Sequence, residues 1–221
     1  MSESDVARAP AVIERLAPSM SALARACMVN VTAIFVKYEI VTPLRMCHFL
    51  AQILGETGGL SHPTLVENLN YSAQLLHDTW PTRFVTLESA QRFGVVAHES
   101  PEMRREKLKN IAWIVYGGRM GNLTLEDALA YCGHGLIQLT GRDMYARVGR
   151  ELSLPLVEHP ELACDPDHAL EIAAHIYVNV KKCNPMADAD NCRGVTHAIN
   201  GGYIGLPAKL KWLGRAKQEL M

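Results

Sequence analysis

The chain has almost no stretch that reads as a β-strand. Strict alternation of apolar and polar residues is scarce, which argues against a sheet-built fold. An excess of either charge is also missing. Lys and Arg total 22 against 23 Asp and Glu, so the general electrostatic case for a nucleic-acid partner is absent. No apolar run is long enough to span a bilayer, and the most apolar early stretch, 20–36, is interrupted by Arg25 and Asn30. The opening MSESDVARAP is acidic and lacks the apolar segment of a secretory signal. A chain made soluble in the cytoplasm, with no direct membrane insertion, is expected. There is no C-x-x-C, no H-E-x-x-H and no Gly-Lys-Ser/Thr after a glycine loop, so neither metal nor cofactor is expected. The 6 cysteines show no compact framework spacing and are read as reduced thiols. Internal repeats and low-complexity segments are absent as well.

What is present is helix. With 221 residues, 48% of them apolar, the chain can bury the core of one domain split into two lobes. Residues 1–18 look loosely ordered, punctuated by Pro10 and Pro18. Ser19 is placed to cap a helix running to about Tyr38. Ser72 caps a short helix, and further short helices are expected around 86–97 and 101–115. Thr124 caps another. Arg142 to Leu152 reads as helix, Asp165 and Pro166 open an amphipathic one through Val180, and Asp188 or Asp190 caps one that Gly201 stops. A last helix runs from Pro207 to about Leu220. The expected class is mainly α, in a single domain. Its smaller helical lobe is expected at about 81–121, and the larger at about 1–80 and 122–221.

One stretch, 42–71, organises the rest. Thr42 can cap and Pro43 can occupy the first helical position, where its missing N–H costs nothing. Met46, Phe49, Leu50, Ile53 and Leu54 recur at helical spacing and define an apolar face. Gly58 and Gly59 stop the helix. Glu56 then falls in the last turn, near the negative end of the helix dipole and beside apolar groups, a setting that disfavours its anion. Glu67 lies in a loop with Asn68, Asn70 and Tyr71, where a carboxylate is well solvated. Two carboxylates in opposed settings suit a general acid and a general base, as in glycoside hydrolysis.

Rival chemistries are weaker. Cys132 and His134 could form a nucleophile and base, but residues two apart on an extended turn point to opposite sides. The 188–191 run lacks the glycine and terminal Glu of a calcium loop, and helix capping accounts for it. Trp80, Trp113 and Trp212 could stack on sugars, though isolated tryptophans usually serve a core.

Several blocks resemble one family in its own order. LAQILGETGG is similar to the acid-bearing helix of glycoside hydrolase family 19, and VENLNYS to the second-carboxylate loop of its phage and bacterial lysin branch. VYGGRMGN, GHGLIQLTGR and THAINGG resemble further blocks. The resemblance spans about residues 42–215 and implies a lysozyme-like α-helical fold with a cleft between a larger and a smaller lobe. It implies Glu56 as general acid, Glu67 as general base and Thr140 as the hydroxyl that helps place the attacking water. Gln138 and Asn200 match the family's substrate-cleft residues, and Tyr71, His134 and Tyr145 are expected as further substrate contacts. The family inverts, which calls for carboxylates roughly 6.5–9.5 Å apart. The short interval between Glu56 and Glu67 favours the lysin branch.

The chain departs from the family at Cys132 and His134, where cations are usual, at Met144, where Asn is usual, and at Lys209, where Arg is expected. The resulting expectation is an endolysin cleaving the β-1,4 bonds of peptidoglycan glycan strands. It would be a monomer without cofactor, needing a separate pore-forming partner (a holin) to reach the wall. The alternatives are a chitinase, a Cys132-dependent amidase or peptidase, and an inactive glycan-binding protein.

Overall fold

Residues 3–221 are described in the computed structural model of the chain. The helices in chain order are α1 (Glu3–Ala7), α2 (Ala9–Leu16), α3 (Ala22–Cys27), α4 (Val31–Lys37), α5 (Pro43–Glu56), α6 (Ala73–Thr79) and α7 (Leu87–Gln91). Then come α8 (Pro101–Tyr116), α9 (Leu125–Ala130), α10 (Arg142–Leu152), α11 (Ala169–His175), α12 (Asn184–Asp188), α13 (Cys192–Asn200) and α14 (Leu206–Leu220). A 3-10 turn covers Pro160–Cys164, and α11 runs on into a π-helical turn, Ile176–Val180. Among the described residues extended backbone pairs only at isolated antiparallel bridges, Val66 with His134 and His134 with Leu139. The fold is mainly α. Two compact units are present: Met1–Leu65 with Gly135–Gln138 and Glu161–Met221, and Val66–His134 with Leu139–Pro160. The second unit contains 81–121 together with 66–80, 122–134 and 139–160, ranges expected in the larger lobe.

The first unit is built on α5. The Thr42 side chain accepts the Arg45 N–H and Pro43 stands in the first turn, as its sequence dictates. Every residue from Met46 to Leu54 is buried. Phe49 meets Phe35 and Tyr177 edge to face, with centroids 5.5 and 5.2 Å apart. The helix ends at Thr57, and positive φ at Gly58 (57°) and Gly59 (75°) turns the chain away. α14 packs along α5, burying Lys209, Leu213, Ala216 and Leu220.

Four local expectations for this unit are corrected. Residues 1–18 are not loosely ordered in their described part: α1 and α2 bury Val6, Ala9, Val12, Ile13 and Leu16, an amphipathic stripe that pays for its own ordering. Ser21, not Ser19, caps the next helix, and a turn around Met28–Asn30 divides α3 from α4. Asp165 accepts the Asp167 N–H in a local turn, so α11 starts only at Ala169. α13 is capped by Asn191, because Asp188 is held by Arg45 and Asp190 by His48 and Lys217.

The second unit holds α6 to α10. Ser72, Thr86, Ser100 and Thr124 each accept the N–H three residues on, fixing the starts of α6 to α9. Leu69, Leu76, Phe84, Ala90, Ile111 and Val115 form its buried centre. α7 is shorter than its pattern suggests. Gly94 lies so close to the Ala73 backbone that a Cβ there would stand 2.4 Å from the Ala73 nitrogen, and Val95 N–H bonds the Tyr71 carbonyl instead of continuing a helix.

Candidate active site

In the first unit, Glu56 closes α5 with its side chain 20% exposed. Its partner is Lys209 of α14, itself buried, with Nζ 2.5 Å from Glu56 Oε1. The apolar edge expected for Glu56 therefore carries a cation, which changes the electrostatics of that corner. The Lys209 stem runs over Gly55: a Cβ at that position would lie 2.8 Å from Lys209 Cγ. In sequence Lys209 is visible only as a departure from the family's Arg. A buried lysine on an amphipathic helix is ordinarily read as surface, since lysines are seldom buried unless paired.

Gln138 adopts a positive φ of 55°, uncommon outside glycine, and is held there by its own amide. Nε2 donates to the carbonyls of Gly135 (3.0 Å) and Leu65 (3.3 Å). Asn200 ends α13 exposed, and its Nδ2 donates to the Ile204 carbonyl at 3.1 Å, shaping the Gly201–Gly205 loop.

In the second unit, the Glu67 loop is fastened to the glycine-rich segment. Glu67 N–H donates to the Gly133 carbonyl (2.7 Å), and Gly133 N–H returns a bond to Glu67 Oε2 (3.1 Å). Tyr116, the last residue of α8, donates its hydroxyl to Glu67 Oε1 and Oε2, 2.7 Å from each. Burial first, then the Glu67 charge, pushes the Tyr116 hydroxyl far above the usual phenol range, so it remains a donor. Tyr71, packed on Trp80 at 4.9 Å, is raised by the same two causes, and so lies within the field of Glu67. Sequence reading missed Tyr116. It belongs to the VYGGRMGN block, but nothing in a tyrosine at a helix end announces a partner 49 positions away.

The bridges bring Thr140 into the same neighbourhood. His134 pairs with Val66 and with Leu139, so the residues preceding Glu67 and Thr140 share one bridge partner. Asn122, fully buried, ties the arrangement together. Its Nδ2 donates to the Tyr116 carbonyl and its Oδ1 accepts the Arg142 N–H, each at 3.0 Å. Gly117 must be glycine, since a Cβ would lie 2.2 Å from the Trp113 ring.

His134 and Tyr145 stand elsewhere than expected. Tyr145 is completely buried, its hydroxyl donating to the Cys132 carbonyl (3.3 Å) and its ring packed on Tyr131 and His134. It supports the glycine-rich segment from within and offers a sugar no surface. His134 is buried as well, with Nδ1 2.8 Å from the Cys132 carbonyl oxygen. Cys132 is buried in the unit's core cluster. Among the described residues no group of three or more His, Cys, Asp or Glu gathers as a metal site, and no helix is long and apolar enough to cross a membrane.

The chain is 31% identical over 173 residues to a Haemophilus influenzae protein described as a glycosyl hydrolase family 19 domain-containing protein, a match spanning 77% of this chain and 78% of that one. No family model matches the chain. Among solved structures, chitinase C of Streptomyces griseus aligns with a TM-score of 0.60 at 17% identity, over 95% of this chain and 90% of that one. A bacterial family 19 chitinase aligns with a TM-score of 0.59 at 15% identity, over 95% and 93%. At such identities these two likenesses speak to the fold.

Proposed function

Because the chain belongs to glycoside hydrolase family 19 and is a glycosidase of chitinase-like type, we propose that it hydrolyses the β-1,4 bonds of peptidoglycan glycan strands as an endolysin, by single displacement at the anomeric carbon. Glu56 gives its proton to the leaving oxygen as the glycosidic bond breaks and that oxygen takes the bonding pair. Glu67 takes a proton from the attacking water as the new carbon–oxygen bond forms, and Thr140 helps place that water. Gln138, Tyr71 and Asn200 contact the glycan.

The observation that carries this reading is the anchoring of Glu67. Tyr116 and the Gly133 N–H donate to its carboxylate, and Val66 and Leu139, the residues before Glu67 and Thr140, both bridge to His134. A general base must be held at a fixed orientation to be effective. The preference for peptidoglycan over chitin rests on the short Glu56-to-Glu67 interval and on the lysin-like VENLNYS block. In that role the chain acts on the periplasmic wall as a monomer, after passage through a membrane pore supplied by a separate protein.

The test is reducing-end release from purified peptidoglycan compared with chitin oligomers. Faster release from peptidoglycan is expected. Turnover of chitin alone would make the chain a chitinase, and binding without turnover of either would make it a glycan-binding protein.

A further inference from the structure

The hydrogen bonds at Glu67 are unequal, and the inequality separates the roles of its two oxygens. Among the described residues, Oε2 receives both the Tyr116 hydroxyl (2.7 Å) and the Gly133 N–H (3.1 Å), and Oε1 receives a share of the Tyr116 hydroxyl (2.7 Å). One phenolic hydrogen serves two acceptors at equal distance, so it fixes the carboxylate plane and cannot satisfy both oxygens fully. We propose that Tyr116 is a positioning residue for the base, anchoring Oε2 with Gly133 so that Oε1 is the oxygen that takes the proton from water. This rests on the assignment of Glu67 as base.

The sequence is built to hold this donor still. Tyr116 ends α8, its carbonyl is gripped by buried Asn122, and Gly117 lets the chain turn against Trp113. Gly118 follows with φ of 68° and its N–H on the Asn122 carbonyl. The far end of Asn122 bonds the Arg142 N–H, two residues past Thr140. The donor to the base and the segment bearing Thr140 therefore share one buried amide. The hydroxyl stays protonated in this setting and so remains a donor that orients the carboxylate.

The experiment compares Tyr116→Phe and Glu67→Gln on whichever glycan the wild type turns over, peptidoglycan strands or chitin oligomers. Tyr116→Phe should lower kcat about 10- to 100-fold, the rate equivalent of one hydrogen bond to a charged group, with KM and melting temperature near wild type. A residue that only filled core would lose stability and leave kcat per folded molecule unchanged. Should Tyr116→Phe fail to fold, 3-fluorotyrosine at position 116 keeps shape and donor but binds Glu67 more tightly and makes it a weaker base. Its kcat should then fall at an unchanged melting temperature, and kcat equal to wild type would overturn the role of Tyr116. Unchanged kcat in a folded variant, with Glu67→Gln inactive, would overturn the role of Tyr116 alone. Substantial activity in Glu67→Gln would instead remove the base assignment beneath it.

Discussion

Lys209 lies across Gly55 and brings its ammonium 2.5 Å from Oε1 of Glu56. The carboxylate assigned as acid is thus paired with a buried cation, on a helix whose next-to-last residue has to be small. The pairing bears on both stability and turnover.

On stability, Gly55→Ala forces the Lys209 stem to shift, because the added Cβ would meet Cγ and not the flexible end of the chain. An overpacking cost of about 1–3 kcal/mol is expected. Urea unfolding of the variant checks it, and an unaltered midpoint would mean that Lys209 moves aside freely.

On turnover, Glu56→Gln keeps the size of the side chain and removes the transferable proton. Activity should fall about 10²- to 10⁴-fold while circular dichroism and melting remain close to wild type. Substantial residual hydrolysis would discard Glu56 as the acid.

Asn122 gives a third test. Asn122→Ala orphans the Tyr116 carbonyl and the Arg142 N–H, at a cost of about 1–3 kcal/mol for each group left buried without a partner. A loss of stability accompanied by a lower kcat is expected. Loss of stability alone would show that the loop it ties does not govern the base.

Acid sensitivity has a source away from the site. His48 on α5 is wholly buried, and burial holds its imidazole below the ordinary 6.5, although Asp190 lies 2.9 Å from Nε2. Below that value the unfolded chain takes up a proton that the folded one resists, so stability rises with pH through this window and is lost on acidification. Asp190 adds to the trend. Its bond to Lys217, then that to His48, lowers its pKa, so its contribution disappears as pH falls toward the carboxylate range. His48→Gln should flatten melting temperature against pH near and below 6.5, and an unchanged slope would rule His48 out.

The cysteine rival predicts an outcome opposite to the glycosidase. Cys132 is buried, and the His134 Nδ1 lies on its backbone oxygen. Cys132→Ser is therefore expected to retain activity per folded molecule, measured by reducing-end release. Its loss without unfolding would revive the amidase.

Local signals carried much of the fold. Thr42 with Pro43, the Ser72 and Thr124 caps, and the bounds of α10 follow from rules that operate within one turn. The misread starts of α11 and α13 share a cause: Asp165, Asp188 and Asp190 are good caps by type, but each carboxylate is already engaged, by a local N–H, by Arg45, or by His48 and Lys217. The candidate carboxylates were legible as a pair of unlike settings. Their partners were not, because Lys209 and Tyr116 reach them from distant helices and neither residue type advertises such a contact. Tyr145, expected at the substrate, is completely buried, with its hydroxyl on the Cys132 carbonyl.

The most direct test of the central claim is the mass spectrum of fragments released from purified peptidoglycan in heavy-oxygen water. A hydrolytic glycosidase with Glu56 and Glu67 as acid and base predicts saccharide fragments whose new reducing ends each carry one heavy oxygen. Anhydro-ended sugars, or fragments cut in the peptide with intact glycan, would contradict it.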